Sequence, residues 1–84
     1  MPEISRFYGI IIKMFFIQGE HNPPHFHAEY GDYKALFNLE TLEIIRGYLP
    51  NTALYLVKQW AKLHQLELKA IWDTQDFREI EPLD

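Results

Sequence analysis

The sequence predicts an α+β fold, in which a small antiparallel sheet of three to four strands packs against a long or broken C-terminal helix. Polar and apolar residues alternate in His25–Tyr30 and again in Tyr33–Asn38, which is the period of a half-buried strand. The Gly31-Asp32 pair between these runs is a two-residue hairpin signal. From Pro50 onward, apolar residues recur three and four positions apart, the period of an amphipathic helix.

The remaining strands are predicted on either side of this hairpin. Residues 10–17 are β-branched and aromatic, with Lys13 as the one charge, which favours a strand covered on both faces. Gly9 predicts a bend or bulge between that strand and a short extended segment at 4–7. Residues 18–24 are expected to form a loop, and residues 42–45 a short strand after a turn at 38–41. The sheet is therefore expected to be a meander.

The helix poses a geometric question. A straight helix over residues 51–74 would be about 36 Å long, whereas a strand of six residues spans about 20 Å. Either the helix breaks near residues 64–66, or its second half extends beyond the sheet. An extended second half would leave three apolar residues in need of a partner, and these are the predicted partner-binding residues: Leu68, Ile71 and Trp72.

Length and composition predict one domain over residues 1–84, with a sheet part at 1–48, a helical part at 50–75 and an extended acidic tail at 76–84. Ile80 and Leu83 are expected to dock the tail back onto the core. The chain has no cysteine, which excludes disulfides and thiolate zinc sites. The first residues lack the order of a signal peptide and no apolar run is long enough to span a bilayer. These observations predict a cytoplasmic protein that does not insert into membranes.

The net charge of −4 is distributed unevenly. Residues 1–72 contain equal numbers of basic and acidic side chains, and the excess of acid lies in residues 73–84. Phosphate backbones require clustered lysine and arginine, and the sequence shows no such cluster. The charge pattern therefore disfavours a dedicated, non-specific nucleic-acid binder, while contact with a short RNA segment stays open.

The strongest candidate site is the segment from His21 to Tyr30, which contains three of the four histidines. Residues two apart in a strand share a face, so His25, His27 and Glu29 are expected to project together. His21, upstream across the Pro-Pro pair, would fold over the same face. Histidine acts as acid, base or neutral metal ligand near pH 7, so this face is the best candidate for chemistry.

Three interpretations of this face stay open. A divalent metal would be bound by the predicted metal ligands His21, His25, His27 and Glu29. Alternatively, His25 and His27 would serve as acid and base in RNA cleavage, with Lys34 or Arg6 holding phosphate. In the third, structural interpretation, the histidines form a solvated polar face, hydrogen-bonded to backbone or to Glu29.

The chain resembles a bacterial family catalogued as domain of unknown function 4160. The resemblance is carried by residues 1–10, by His21-Asn22-Pro23-Pro24-His25-Phe26-His27, by Leu49-Pro50, by Trp60 with Ala61 and His64, and by residues 80–83. The one departure is Asn51-Thr52, where basic residues are common in the family. The family has no settled activity, so the resemblance assigns no catalytic residues.

The resemblance also implies a gene arrangement and a kind of partner. Members of the family are short proteins, often encoded beside another small protein in an arrangement that looks like a toxin–antitoxin pair. The leading hypothesis is therefore a component of a toxin–antitoxin-like pair that binds a small cognate protein, with the helix end and tail as the docking surface. The alternatives are an RNA-cleaving toxin and a divalent-metal-binding module. Association with a second copy of the chain stays open too.

Overall fold

The computed structural model describes residues 3–14, 23–74, 76 and 78–83. Within them, five strands form one antiparallel sheet in the order β1-β2-β3-β4-β5, followed by two helices. The α+β class and the meander are thus confirmed, with one strand and one helix more than expected. The strands and helices are β1 (Glu3–Phe7), β2 (Ile10–Lys13), β3 (His25–Tyr30), β4 (Tyr33–Asn38), β5 (Ile44–Gly47), α1 (Asn51–Leu63) and α2 (Gln65–Thr74).

Two tight turns determine the register of the sheet. Tyr8 and Gly9 both have positive φ, 49° and 79°, which matches a type I′ hairpin turn. Gly9 therefore lies in the turn of a β1–β2 hairpin, so the predicted break between the two segments is present as a tight turn. Between β3 and β4, Gly31 has φ 57° while Asp32 does not have positive φ, the signs of a type II′ turn. This hairpin pairs Tyr30 with Tyr33, as the sequence predicted.

The last strand begins two residues later than expected. Asn38 Oδ1 accepts hydrogen bonds from the backbone N–H groups of Glu40 and Thr41, and Leu42 has φ 60°. That backbone conformation is left-handed and cannot continue a strand, so β5 starts only at Ile44. Residues 15–17 and most of the predicted 18–24 loop lie outside the described residues, and β2 ends at Lys13.

The C-terminal helical part is broken at His64, which has φ −115° and ψ 20°. The Gln65 side chain donates to the backbone carbonyls of Leu39 and Glu40 at 2.7 and 3.0 Å, which anchors the start of α2 at the end of β4. Of the two alternatives left by helix length, the break is therefore the one found. None of the helices in the described part of the chain has the length and hydropathy that crossing a membrane would require.

The break folds α2 onto the body of the protein. Trp60 of α1 is fully buried and contacts the rings of Phe7 and Phe26, and the Phe26 and Phe37 rings stack at 5.1 Å. Leu68 and Ile71 belong to the same buried cluster, at 0% and 1% exposure. Both helices therefore contribute to one core, and we call the face of the sheet that carries Phe26 and Phe37 the inner face.

The tail also returns to this core, as expected. The Ile80 N–H donates to the Ile4 carbonyl at 2.7 Å, on the free edge of β1. The Trp60 Nε1–H donates to the Glu81 carbonyl at 2.9 Å. Ile80 is buried, and Leu83 packs against the core from a partly buried position. The tail thus lies between the sheet edge and α1, with Glu79 and Glu81 exposed to solvent.

Candidate functional site

The candidate site occupies the outer face of the sheet, opposite the buried Phe26. Directly paired residues in an antiparallel sheet share a face. The register of neighbouring strands therefore shows which residues lie on the outer face with His27. His27 pairs with Lys13 of β2 and with Leu36 of β4, and Leu36 pairs with Arg46 of β5. Glu29 pairs with Ile11 and Lys34. The expected shared face of His25, His27 and Glu29 is therefore present, and it extends across the neighbouring strands.

His25 is the buried end of this row, at 2% exposure. Its Nδ1 lies 2.9 Å from the Pro23 carbonyl oxygen; because a carbonyl only accepts, Nδ1 carries the proton. The ring meets that of His27 edge-on, with centroids 5.4 Å apart, and packs on Trp72 of α2 at 5.0 Å. His25 thus lies between a helix and the second histidine, out of contact with bulk solvent.

His27 is half-buried. Burial is the largest effect that lowers the pKa of His27, and the neighbouring His25 and Lys13 lower it further, against a smaller opposing effect from Glu29. Glu29 Oε1 accepts a hydrogen bond from Lys13 Nζ at 3.3 Å. The site therefore holds a neutral imidazole beside an ion pair near neutral pH.

A groove of about 320 Å³ opens on the outer face between β4 and β5. Two of its lining side chains, Lys34 and Arg46, are exposed and form no ion pair among the described residues. We call it the β4–β5 groove; its lining residues are His27, Lys34, Ala35, Leu36, Arg46 and Gly47. It brings together the predicted His27 and Lys34 with Arg46, which the sequence did not single out.

The other predicted residues are placed as follows. His21 lies outside the described residues, and no group of three metal-ligating side chains occurs in the part of the chain that the structure describes. Arg6 is paired with Glu3 at 2.8 Å. Leu68 and Ile71, the expected partner-binding residues, are buried in the chain's own core, and Trp72 packs on His25. Leu68 and Ile71 therefore expose no apolar surface, and Trp72 is partly buried.

Exposed apolar residues appear instead at the break between the helices. Leu63 is 71% exposed and Leu66 is 83% exposed, one on each side of His64. His64 itself packs its ring 5.6 Å from Trp60, and its Nδ1 lies 2.7 Å from Glu67 Oε1. We call Leu63, His64 and Leu66 the helix corner. The sequence alone did not single out these two leucines.

Comparison with known proteins gives one match. The family model of the domain of unknown function DUF4160 matches residues 9–73. Residues 1–8 and 74–84, which contain parts of the resemblance noted above, lie outside the matched range. No curated protein and no solved structure gives a significant match to the chain.

Proposed function

Because the chain belongs to the DUF4160 family, we propose that it is one component of a toxin–antitoxin-like pair and binds a small cognate protein encoded nearby. The observation that carries the proposal is the exposure of Leu63 and Leu66 on adjoining turns of two helices. Exposed apolar patches are typical of protein interaction sites, and Leu63 and Leu66 lie three residues apart in the chain, across the break between the helices. Their burial by a partner would remove apolar area from water at both positions.

Three grooves adjoin the helix corner, which supports docking there. One of about 430 Å³ runs between Leu63 and Leu83, and one of about 230 Å³ lies beside Leu66 and Ala70. A third, of about 450 Å³, is lined by Leu63, His64, Glu81, Pro82 and Leu83. The tail therefore forms one wall of the surface, and apolar side chains of a partner would have receiving grooves on both sides of the corner.

The charges around the helix corner indicate the chemistry of the partner. The charged side chains that line the grooves at the corner are Glu67 and Glu81, against Lys62 and Arg78, so the two signs are balanced there. This balance favours a partner whose docking segment is mainly apolar and carries side chains of both charges at its edges, because complementary charge orients association. A small protein with an amphipathic helix has these properties.

The test is co-purification of the protein with the product of the adjoining gene, followed by affinity measurement. Leu63→Ser and Leu66→Ser are each expected to weaken the complex at least about tenfold, since truncating a central interface residue commonly costs that much. Tyr55→Ser is the matched control, because Tyr55 is 61% exposed on the same helix α1 and away from the corner. It should leave the affinity unchanged.

Two results would count against the proposal. One is that the protein stays a monodisperse monomer when the neighbouring gene product is present, which would show that the two do not bind. A complex that all three serine variants form equally well would retain the partner but remove the helix corner as its docking surface.

A further inference from the structure

The β4–β5 groove is lined by two cations that have no counter-charge. Four cationic side chains lie on the outer face by register, and two of them, Arg6 and Lys13, are ion-paired with carboxylates. The other two are Lys34 and Arg46, which are exposed, form no ion pair within the described part of the chain, and both line the groove. A cleft lined by charges of one sign raises the local concentration of counter-ions. The groove is therefore suited to an anion.

The carboxylate that the register places across from Lys34 is engaged on its other side. Glu29 pairs directly with Lys34 between β3 and β4. Both of its carboxylate oxygens, however, lie 3.3 Å from the Nζ atom of Lys13 on β2. Because Glu29 is held by Lys13, the positive charge of Lys34 stays available to a ligand.

The strand register arranges the side chains of the groove in a row across three strands. His27 pairs with Leu36, and Leu36 pairs with Arg46, so an apolar side chain lies between an imidazole and a guanidinium. Lys34 precedes Leu36 by two residues on β4 and therefore shares this face. The groove thus places an apolar surface beside two cations.

The remaining surface of the groove suits a small ligand. Ala35 is buried on the inner face and Gly47 has no side chain, so both contribute backbone to the groove. His27 is half-buried and can donate or accept a hydrogen bond. The volume of about 320 Å³ is at the lower end of the range for small-molecule sites, which starts at about 300 Å³.

We propose that the β4–β5 groove binds a small organic anion, whose carboxylate or phosphate group lies between Lys34 and Arg46 and whose apolar part covers Leu36. The two cations supply charge-assisted hydrogen bonds to the anionic group. The groove shares no residue with the helix corner, so the proposal stands or fails independently of the partner protein.

The probes are hexanoate and hexyl phosphate, each titrated into the isotope-labelled protein, and the tighter of the two identifies the anionic group. NMR shifts are expected in the backbone of 34–36, 46 and 47 and in the ring of His27. Hexanoate should bind at least about fourfold more tightly than acetate, which corresponds to burial of about one CH₂ group. Hexan-1-ol keeps the chain without the charge and should bind at least about tenfold more weakly than hexanoate.

The double variant Lys34→Gln/Arg46→Gln should weaken hexanoate binding at least about tenfold, because hydrogen bonds to a charged group are lost. The matched control is Arg6→Gln/Lys69→Gln, which also removes one arginine and one lysine but no residue of the groove. It should leave the affinity within about twofold. Native-like NMR spectra of both variants exclude unfolding as the cause of a loss, and the comparison of ligands needs only the wild type.

Four results would overturn the proposal. One is the absence of shifts at the groove with either anion. The second is binding of hexan-1-ol as tight as that of hexanoate, which would make the groove a purely apolar surface. The third is binding of acetate or inorganic phosphate as tight as that of hexanoate, which would remove the apolar part of the site. The fourth is an equal loss of affinity in the two double variants, which would indicate diffuse charge attraction.

Discussion

The imidazole of His25 and the indole of Trp72 lie with their ring centroids 5.0 Å apart and their planes inclined by 56°. This contact joins the first residue of β3 to the second helix. On its other side, His25 meets His27. Helix α2 therefore contacts His25 directly, and through His25 the surroundings of His27 depend on Trp72, a residue 45 positions later in the chain.

Replacing Trp72 by alanine tests how much this contact stabilises the protein. Trp72→Ala is expected to lower the free energy of unfolding by about 2 kcal/mol or more, because the indole is partly buried against His25 and the core. Urea unfolding gives the value. Tyr55→Ala, which truncates an aromatic side chain that is 61% exposed, should change the free energy by about 0.5 kcal/mol or less. Equal stability of the two variants would contradict the assigned role of Trp72.

Gly47 is predicted to be irreplaceable for a steric reason. A Cβ atom at this position would overlap the Lys34 carbonyl oxygen and lie 2.9 Å from Ala35 Cα. Since both neighbours are backbone of β4, Gly47→Ala should unpair β5 and cost about 3 kcal/mol or more.

The matched control is Gly31→Ala. Gly31 also has positive φ, but a Cβ there would meet nothing within 4 Å. Its cost should be limited to that of a left-handed alanine, about 1 kcal/mol. Thermal unfolding of the two variants separates the effects, and similar melting temperatures would show that close approach at Gly47 is unimportant.

His27 is predicted to make stability pH-dependent. Its pKa in the folded protein is lowered from 6.5, mainly by burial. Below pH 6.5 the unfolded chain therefore binds a proton at this position more readily than the folded chain, so the free energy of unfolding falls as the pH decreases through this range. The groups that bear on His27 are His25, Glu29 and Lys13, with Lys34 and Arg46 across the groove.

The measurement compares wild type with His27→Gln by urea unfolding at pH 7.5 and pH 5.5. The variant keeps a polar side chain and loses the titration, so its stability should decrease less between the two pH values. NMR titration of the His27 ring in the wild type gives its pKa directly. A pKa at or above 6.5, or parallel losses of stability, would refute the assignment.

The hairpin at the centre of the site could be predicted because its signals are local. The period of two in β3 and β4 assigns His25, His27 and Glu29 to one face, and Gly31-Asp32 supplies the turn that holds the register. The predicted positions of the end of β2 and the start of β5 were less accurate. At Leu42, positive φ follows from the hydrogen bonds of the preceding Asn38 turn, which the apolar pattern of residues 42–45 does not reveal.

The grouping of Arg46 with His27 and Lys34 was not predicted. Arg46 reaches the groove because a register shift between Leu36 and Phe37 turns β5 so that Arg46 faces Leu36. No periodicity in the sequence encodes that shift. Likewise, the balanced charge of residues 1–72 does not reveal which cations are ion-paired, because the Glu29–Lys13 pair joins residues on two different strands.

The sequence by itself determined the class of the fold, the central hairpin and the shared face of the histidine row, because turn residues and hydrophobic periods act between neighbours in the chain. Only the tertiary structure decided that Leu68 and Ile71 are core and that Leu63 and Leu66 face solvent. That choice depends on the direction of α2 after His64, which the Gln65 hydrogen bonds to the distant Leu39–Glu40 turn help to hold. A helical period specifies which residues share a face, whereas the surface that covers this face is specified by contacts between distant segments.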